Sequence, residues 1–204
     1  MDYVPPLAQV YLPALVQKQK ELWPAHPLPS TLAAQIEQET CISLKSRGCW
    51  NPRTELKTDR EYGFGLGQIT ITSKFDNFKY VQSLDKALVG WKFEDRYNAS
   101  YQIHALVVWD KRGFDSVIGA NTLIDQLAMS YAAYNGGQGG LSSDRRICAA
   151  TPGCNKNTWF NNVELTSLKK KSAAAGYGQS FYAINRGYVT NIMKVRRLKY
   201  DSWF

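Results

Sequence analysis

Residues 29–40 read PSTLAAQIEQET and contain the helix signal from which the fold prediction starts. The Pro-Ser pair is typical of a helix start and predicts Ser30 as the N-cap. Apolar residues then recur at helical spacing from Leu32 to Ile36. Glu39 follows three residues after Ile36, so it shares the edge of the apolar face. The segment therefore predicts a helix that carries a partly buried carboxyl group near its end.

Helical periodicity returns in three later segments, and no alternating β-branched runs of sheet quality occur. The predicted helices cover residues 84–111 with a break near Tyr97-Asn98, about 122–134 with a stop at Gly136-Gly137, and about 182–198. Residues 54–72 contain glycines at 63, 65 and 67 and instead predict a loop or small hairpin. We expect a mainly α-helical protein with a small irregular or β element.

The N-terminal 30 residues differ in composition from the rest of the 204-residue chain. They are rich in proline, and an amphipathic stretch at 8–22 predicts one short helix. We interpret 1–30 as an arm packed on a main domain formed by 31–204. The length fits a single domain with such an added segment.

The net charge of +8 is concentrated in the C-terminal third. Basic and acidic residues balance up to Asn135, whereas residues 136–204 hold eleven Lys or Arg against three Asp or Glu. This asymmetry indicates either a solvated basic face or contact with a polyanion such as nucleic acid, anionic lipid or acidic cell-wall polymer. No apolar run is long enough for a membrane span, and the first residues do not resemble a secretory signal.

The four cysteines form two local pairs, Cys41 with Cys49 and Cys148 with Cys154. Zinc knuckles of the CxxC type are absent, and only two histidines are present, so we expect no metal site and no cofactor. Two short disulfide loops are the favoured pairing in an oxidising compartment, and four reduced thiols are the alternative in the cytosol.

Four short motifs occur in a fixed order along the chain. They are Gln35–Thr40 (QIEQET), Gly65–Ile69 (GLGQI), Ala133–Gly137 (AYNGG) and Arg186–Val189 (RGYV). In this order they resemble the lytic transglycosylase and goose-type lysozyme superfamily, whose members carry Glu-Ser, Gly-Leu-Met-Gln, Ala-Tyr-Asn-Ala-Gly and Arg-x-Tyr-Val segments. The resemblance covers about residues 31–195 and implies a helical lysozyme-like domain with a glycan-binding cleft beside the small β element.

The resemblance implies that Glu39 is the catalytic acid. Cleavage of a glycosidic bond needs a proton on the leaving oxygen, and a carboxylic acid at the edge of an apolar helix face can supply it.

The other motif residues are implied to bind substrate. They are Thr40, Phe64, Gln68, Tyr134, Asn135 and Tyr188. Gln68 occupies the position that binds the glycan near the cleaved bond, while Tyr134 offers a flat apolar face to a sugar. Core packing is the alternative role for Tyr188.

Three positions depart from the family pattern. Thr40 replaces serine and keeps the hydroxyl, whereas Gly67 replaces methionine and Ile184 occupies a place where many members have glutamate. The segment between Cys41 and Cys49 accounts for a long spacing between Glu39 and Gln68 as a stapled insert.

Two reaction outcomes follow from the resemblance. In lytic transglycosylases a single glutamate acts as acid and then as base, and the 6-hydroxyl of muramic acid closes a 1,6-anhydro ring. Goose-type lysozymes hydrolyse the same bond with the help of aspartate, and Asp59, five residues before Phe64, resembles that second carboxylate. We favour transglycosylation by Glu39, with hydrolysis involving Asp59 as the alternative.

The sequence therefore predicts a monomeric enzyme that cleaves the β-1,4 bond between N-acetylmuramic acid and N-acetylglucosamine in peptidoglycan strands. A bacteriophage endolysin, made in the host cytoplasm and acting on the periplasmic cell wall, fits the basic charge and the lack of a signal peptide. We expect no nucleic-acid partner, although the basic third could contact the anionic envelope. A non-catalytic cationic binder of wall or nucleic acid is the rival from another class.

Overall fold

The computed structural model describes residues 3–41, 43, 47–169 and 171–204. These residues form two compact units. The first contains the chain up to Trp109 together with Lys194–Phe204, and the second contains Asp110–Met193. The short helix predicted at 8–22 is present as Pro6–Leu22 and belongs to the first unit.

The first unit combines four helices with a small sheet. Its regular elements are α1 (Pro6–Leu22), α2 (Ser30–Thr40), β1 (Glu55–Lys57), β2 (Glu61–Phe64), β3 (Ile69–Thr72), α3 (Asn77–Leu84) and the start of α4 (Ala99–Ser116). The interruption predicted near Tyr97-Asn98 is confirmed, because α4 begins at Ala99. The helix predicted before it is wrong: α3 ends at Leu84, and only single 3₁₀ turns at Lys86–Leu88 and Phe93–Asp95 follow. The chain returns to this unit as a C-terminal 3₁₀ helix, Arg196–Trp203.

Helix α2 is buried along most of its length, because it packs against both α1 and the C-terminal 3₁₀ helix. Ser30 is its first residue rather than a side-chain cap, and its hydroxyl donates to Asp201. The helix ends at Thr40, and Cys41 follows in an extended conformation. The predicted disulfide between Cys41 and Cys49 is present.

The β element is a three-stranded antiparallel sheet in the order β1-β2-β3, which confirms the hairpin predicted for 54–72. Glu55 pairs with Phe64, and Phe64 in turn pairs with Ile69. The sheet covers an aromatic core that holds Phe64, Ile69, Phe78, Val81, Leu88, Trp91 and Ala105. Burial of these side chains fixes the turn between β2 and β3 on a rigid base.

The second unit is helical throughout its regular structure. It contains the end of α4, α5 (Leu123–Gly136), α6 (Gln138–Ala149), a 3₁₀ turn (Val163–Leu165) and α7 (Phe181–Thr190). Thr122 caps α5, and Gly137 has a φ of +80°, so the predicted helix stop is confirmed. Helix α6 was not predicted, and Gly139 and Gly140 lie in its first turn. The Cys148–Cys154 disulfide closes the turn after it.

The predicted helix at 182–198 is helical but irregular. Regular α-helix ends at Thr190, and Asn191–Val195 form a π-helical turn before the C-terminal 3₁₀ helix. The mainly α fold with a small β element is therefore confirmed for the described residues. Within them, no helix is long and apolar enough to cross a bilayer.

Candidate active site

Glu39 lies in the last turn of α2 and is half-buried. Its neighbour Thr40 is buried, and the Thr40 hydroxyl donates to the Ile36 carbonyl at 2.6 Å. The same hydroxyl accepts from the backbone N–H of Trp50 at 2.8 Å. Thr40 therefore connects the end of α2 to the residues that follow the disulfide loop. In this position Thr40 helps to place Glu39.

The glycine loop is the tight turn that joins β2 to β3. Gly65 and Gln68 both have a positive φ, +81° and +46° respectively. The Gln68 amide nitrogen donates to the carbonyl oxygens of Thr54 at 3.0 Å and Gly65 at 2.9 Å. Gln68 is half-buried, and its Oε1 lies where a side chain at Gly63 would meet it at 3.0 Å. These contacts hold the Gln68 amide in one orientation.

A short segment, residues 48–54, connects the end of α2 to the glycine loop. Its first part carries the Trp50 N–H that bonds Thr40. Its last part carries Thr54, whose carbonyl accepts from the backbone N–H of Gly65 at 2.8 Å as well as from the Gln68 amide. The Thr54 hydroxyl also donates to the Gly48 carbonyl at 3.1 Å. The first and second motifs therefore share one hydrogen-bonded scaffold.

Gln102, a buried residue of α4, bonds to both the 48–54 segment and the glycine loop and holds them together. Its Oε1 accepts from the Leu66 N–H at 2.9 Å, and its Nε2 donates to the carbonyls of Pro52 at 2.9 Å and Arg96 at 2.8 Å. A Cβ at Gly65 would lie 2.6 Å from the Gln102 amide carbon. Only glycine fits here, because both the φ angle and the close approach exclude a side chain.

Two predicted residues near the sheet occupy different environments. Phe64 is fully buried in the aromatic core beneath the glycine loop, against the rings of Tyr62 and Phe78. Asp59 is exposed in the turn between β1 and β2, where the Thr58 hydroxyl accepts from the backbone N–H groups of Arg60 and Glu61 at 3.2 Å. Phe64 therefore supports the loop, whereas Asp59 faces water.

Glu37 is a second glutamate of α2 and is completely buried. Its Oε1 accepts from Arg196 Nη1 and from Lys199 Nζ, both at 2.9 Å, and its Oε2 accepts from the Tyr200 hydroxyl. The Trp50 indole N–H donates to the same hydroxyl at 3.1 Å. Burial raises the pKa of the Tyr200 phenol, and the adjacent Glu37 charge adds to this effect. The C-terminal 3₁₀ helix thereby holds α2, the helix that contains Glu39, in place.

In the second unit, the third and fourth motifs lie together. The rings of Tyr134 and Tyr188 are stacked, with centroids 6.3 Å apart and planes 9° apart. The Asn185 amide donates to the Ala132 carbonyl at 3.0 Å and to Asn135 Oδ1 at 3.1 Å. Asn135 and Tyr134 are less buried than Tyr188, which is 4% exposed. Tyr188 therefore packs behind Tyr134 in this unit.

Arg186, the first residue of the fourth motif, is an internal anchor. Its guanidinium bonds Asp144 Oδ2 at 2.9 Å and the carbonyls of Glu164 at 2.7 Å and Thr166 at 2.9 Å. Lys169 also bonds Asp144 Oδ2 at 2.9 Å. Both cations thus share the single carboxylate of Asp144, a residue that is 1% exposed.

Many of the basic side chains after Asn135 form ion pairs within the protein. The structure describes ten of the eleven basic residues after Asn135. Five of these ten form ion pairs: Lys169, Arg186, Arg196, Arg197 and Lys199. Lys170 of the predicted basic run lies outside the described residues. Fewer basic side chains are consequently available to a polyanionic partner than the eleven counted in the sequence suggest.

Sequence reasoning missed Glu37 and Gln102. Both are polar residues on helical faces, where a solvent-exposed position is the default expectation. Only the partners reveal their roles, and those partners lie 159 residues away for the Arg196 bond and 36 residues away for the Leu66 bond. Among the described residues, no group of three or more His, Cys, Asp or Glu could hold a metal ion.

No family model matches the chain, and a search of curated proteins found no match.

Proposed function

We propose that the protein cleaves peptidoglycan glycan strands at the β-1,4 bond between N-acetylmuramic acid and N-acetylglucosamine. The observation that carries this proposal is the ordered set of four motifs, which group in space two by two. Thr40, the neighbour of Glu39, and Gln68 both bond to the segment of residues 48–54, while Tyr134 and Tyr188 stack in the second unit. This grouping supports the proposal.

The proposed reaction is lytic transglycosylation with Glu39 as the acid and base. The half-buried carboxyl donates its proton to the leaving oxygen of the glycosidic bond. The resulting carboxylate then accepts the proton of the muramic acid 6-hydroxyl while that oxygen bonds to C1. This step closes a 1,6-anhydro ring and returns the proton to Glu39, so no water is consumed.

Gln68 and Tyr134 would contact the substrate in this proposal. The fixed Gln68 amide supports glycan recognition, because a preorganised group loses little freedom on binding. Tyr134 would offer its ring to a sugar face, and its stack on Tyr188 holds the ring in place. Thr40 and Phe64 would act as supports of Glu39 and of the glycine loop.

Hydrolysis is the alternative outcome, with Asp59 placing a water molecule.

The two disulfides suit an enzyme that acts in an oxidising compartment such as the periplasm. An endolysin role would fit this setting.

Digestion of Gram-negative sacculi followed by mass spectrometry tests the proposal. We expect soluble products lighter by one water than hydrolysis fragments from the wild type, and no products from Glu39→Gln. Reducing muramic acid ends that disappear in Asp59→Asn would establish hydrolysis instead. Binding of sacculi without any products from the wild type would establish the non-catalytic binder.

A further inference from the structure

A group of charged and aromatic side chains lies beside the glycine loop in the first unit. We call it the Arg53 cluster, and it consists of Arg53, Glu55, Tyr62, Phe93, Arg96 and Tyr97. Its members come from the 48–54 segment, β1, β2 and the 3₁₀ turn before α4. None of them belongs to the four motifs.

The cluster is built from stacked cations and rings. The Arg53 guanidinium lies over the Tyr97 ring, 4.8 Å from its centroid. The Arg96 guanidinium lies 4.4 Å from the centroid of the same ring and 4.5 Å from that of Phe93. Phe93 is 39% exposed, so part of this apolar side chain is accessible to a ligand. Such contacts hold a guanidinium in a defined plane.

Glu55 completes the cluster as the acceptor of two phenol groups. Its Oε1 accepts from the hydroxyls of Tyr62 and Tyr97, and Arg96 donates to the same hydroxyls at 3.0 Å. The hydrogen bond from Tyr62, followed by that from Tyr97, lowers the pKa of Glu55. The negative charge of Glu55 is therefore directed to the phenols and to Arg96 rather than to Arg53.

Arg53 differs from Arg96 in its charge balance. Within the described ranges of the chain, no carboxylate lies within 4.0 Å of the Arg53 guanidinium, and the residue is exposed. A guanidinium that is oriented by a ring and has no internal carboxylate can bind an external carboxylate through two parallel hydrogen bonds.

The cluster is held in a fixed position relative to the glycine loop. Gln102 Nε2 bonds the carbonyls of Pro52 and Arg96, the residues adjacent to or within the cluster, and Gln102 Oε1 bonds the N–H of Leu66 in the loop. A glycan bound at Gln68 would thus extend next to a rigid cationic and aromatic surface.

We propose that the Arg53 cluster binds the carboxylate-bearing part of a muramyl residue, with Arg53 as the carboxylate ligand and Phe93 against the sugar. This inference rests on the proposed function and assigns it a substrate-recognition surface. The carboxylate can belong to the stem peptide or, in a muramyl residue without a peptide, to the free lactyl group. Chitin oligomers lack both, so the cluster would discriminate peptidoglycan from a plain N-acetylglucosamine polymer.

Binding to three glycans tests the inference, with Glu39→Gln in every protein to prevent turnover. The ligands are peptide-bearing strands, peptide-free strands that keep the lactyl carboxylate, and N-acetylglucosamine hexamers. We expect Arg53→Gln to weaken binding of muramyl strands by about tenfold, because a charge-assisted hydrogen bond contributes at least about 1.5 kcal/mol. Arg53→Lys should have an intermediate effect, and binding of the hexamer should not change.

Arg60→Gln is the matched control, since it removes the same charge from an exposed turn of the same sheet. A loss confined to peptide-bearing strands assigns the carboxylate to the stem peptide, because its attachment converts the lactyl carboxyl to an amide. A loss confined to peptide-free strands assigns it to the lactyl group, and a loss with both shows that Arg53 accepts either carboxylate. Equal effects of Arg53→Gln and Arg60→Gln, or an equal loss with the hexamer, would overturn the inference. Absence of binding to any glycan by the Glu39→Gln protein, together with inactivity of the wild type, would instead reject the proposed function.

Discussion

Replacing Glu37 by glutamine should destabilise the fold strongly, although it lies only two residues before the proposed catalytic acid. Glu37 is fully buried and accepts from two cations at 2.9 Å. Unit charges about 4 Å apart attract by about 4 kcal/mol at an effective dielectric constant of 20, so the two pairs supply about 8 kcal/mol of gross attraction. Desolvation of the three charges offsets part of this attraction.

The expected net loss for Glu37→Gln is about 3–5 kcal/mol in the free energy of unfolding, because two cations remain without their carboxylate. Glutamine keeps the shape and one acceptor oxygen, so the loss reports charge rather than packing. Urea unfolding followed by tryptophan fluorescence is a suitable assay, since Trp50 donates to the Tyr200 hydroxyl that in turn donates to Glu37.

Glu39→Gln provides the matched control on the same helix. Its half-buried position predicts a change below about 1 kcal/mol, together with complete loss of wall cleavage. A double-mutant cycle with Lys199→Met should give a coupling of at least about 1 kcal/mol with Glu37→Gln. A Glu37→Gln protein as stable as the wild type, with no coupling in the cycle, would refute this account of how α2 is held.

Three further perturbations have defined outcomes. Burial lowers the pKa of His26 to about 3, so below pH 6.5 the unfolded state binds the additional proton. Through this residue, the unfolding free energy of the wild type should fall by about 1.4 kcal/mol per pH unit as the pH drops from 6.5 towards 3. Urea titrations at several pH values should show that His26→Asn lacks this decrease. Parallel pH profiles for the two proteins would contradict the lowered pKa of His26. Gly65→Ala should lose about 2–4 kcal/mol and most activity, because it adds a clash with Gln102 to the strain of a positive φ. Gly137→Ala meets open space and should lose only about 1 kcal/mol from its φ, and equal losses in thermal unfolding would reject the Gln102 contact. Removing either disulfide should cost about 2–3 kcal/mol, since the sequence separations are 8 and 6 residues. Activity, measured below the melting temperatures of both double variants, should fall only for Cys41→Ala/Cys49→Ala, because this disulfide loop directly follows Thr40. An equal fall for Cys148→Ala/Cys154→Ala would show that the first disulfide has no specific effect on the position of Glu39.

The sequence determined the local features of this protein. Apolar spacing from Leu32 to Ile36 predicted α2, and the Gly136-Gly137 pair predicted the end of α5, because helix periodicity and glycine conformational freedom act over a few residues. Short cysteine separations favoured the two disulfides that the structure contains. No such signal predicted α6, in which glycines at 139 and 140 lie inside a helix.

Only the tertiary structure decided which polar residues hold the candidate site together. Glu37 resembles a surface glutamate in the sequence, yet packing of the C-terminal 3₁₀ helix on α2 buries it against Arg196 and Lys199. Gln102 gains its role because the glycine loop and the residues after the disulfide converge on one amide. These contacts join residues distant in the chain, and their strength depends on burial and on the geometry of several groups at once, which no local pattern encodes.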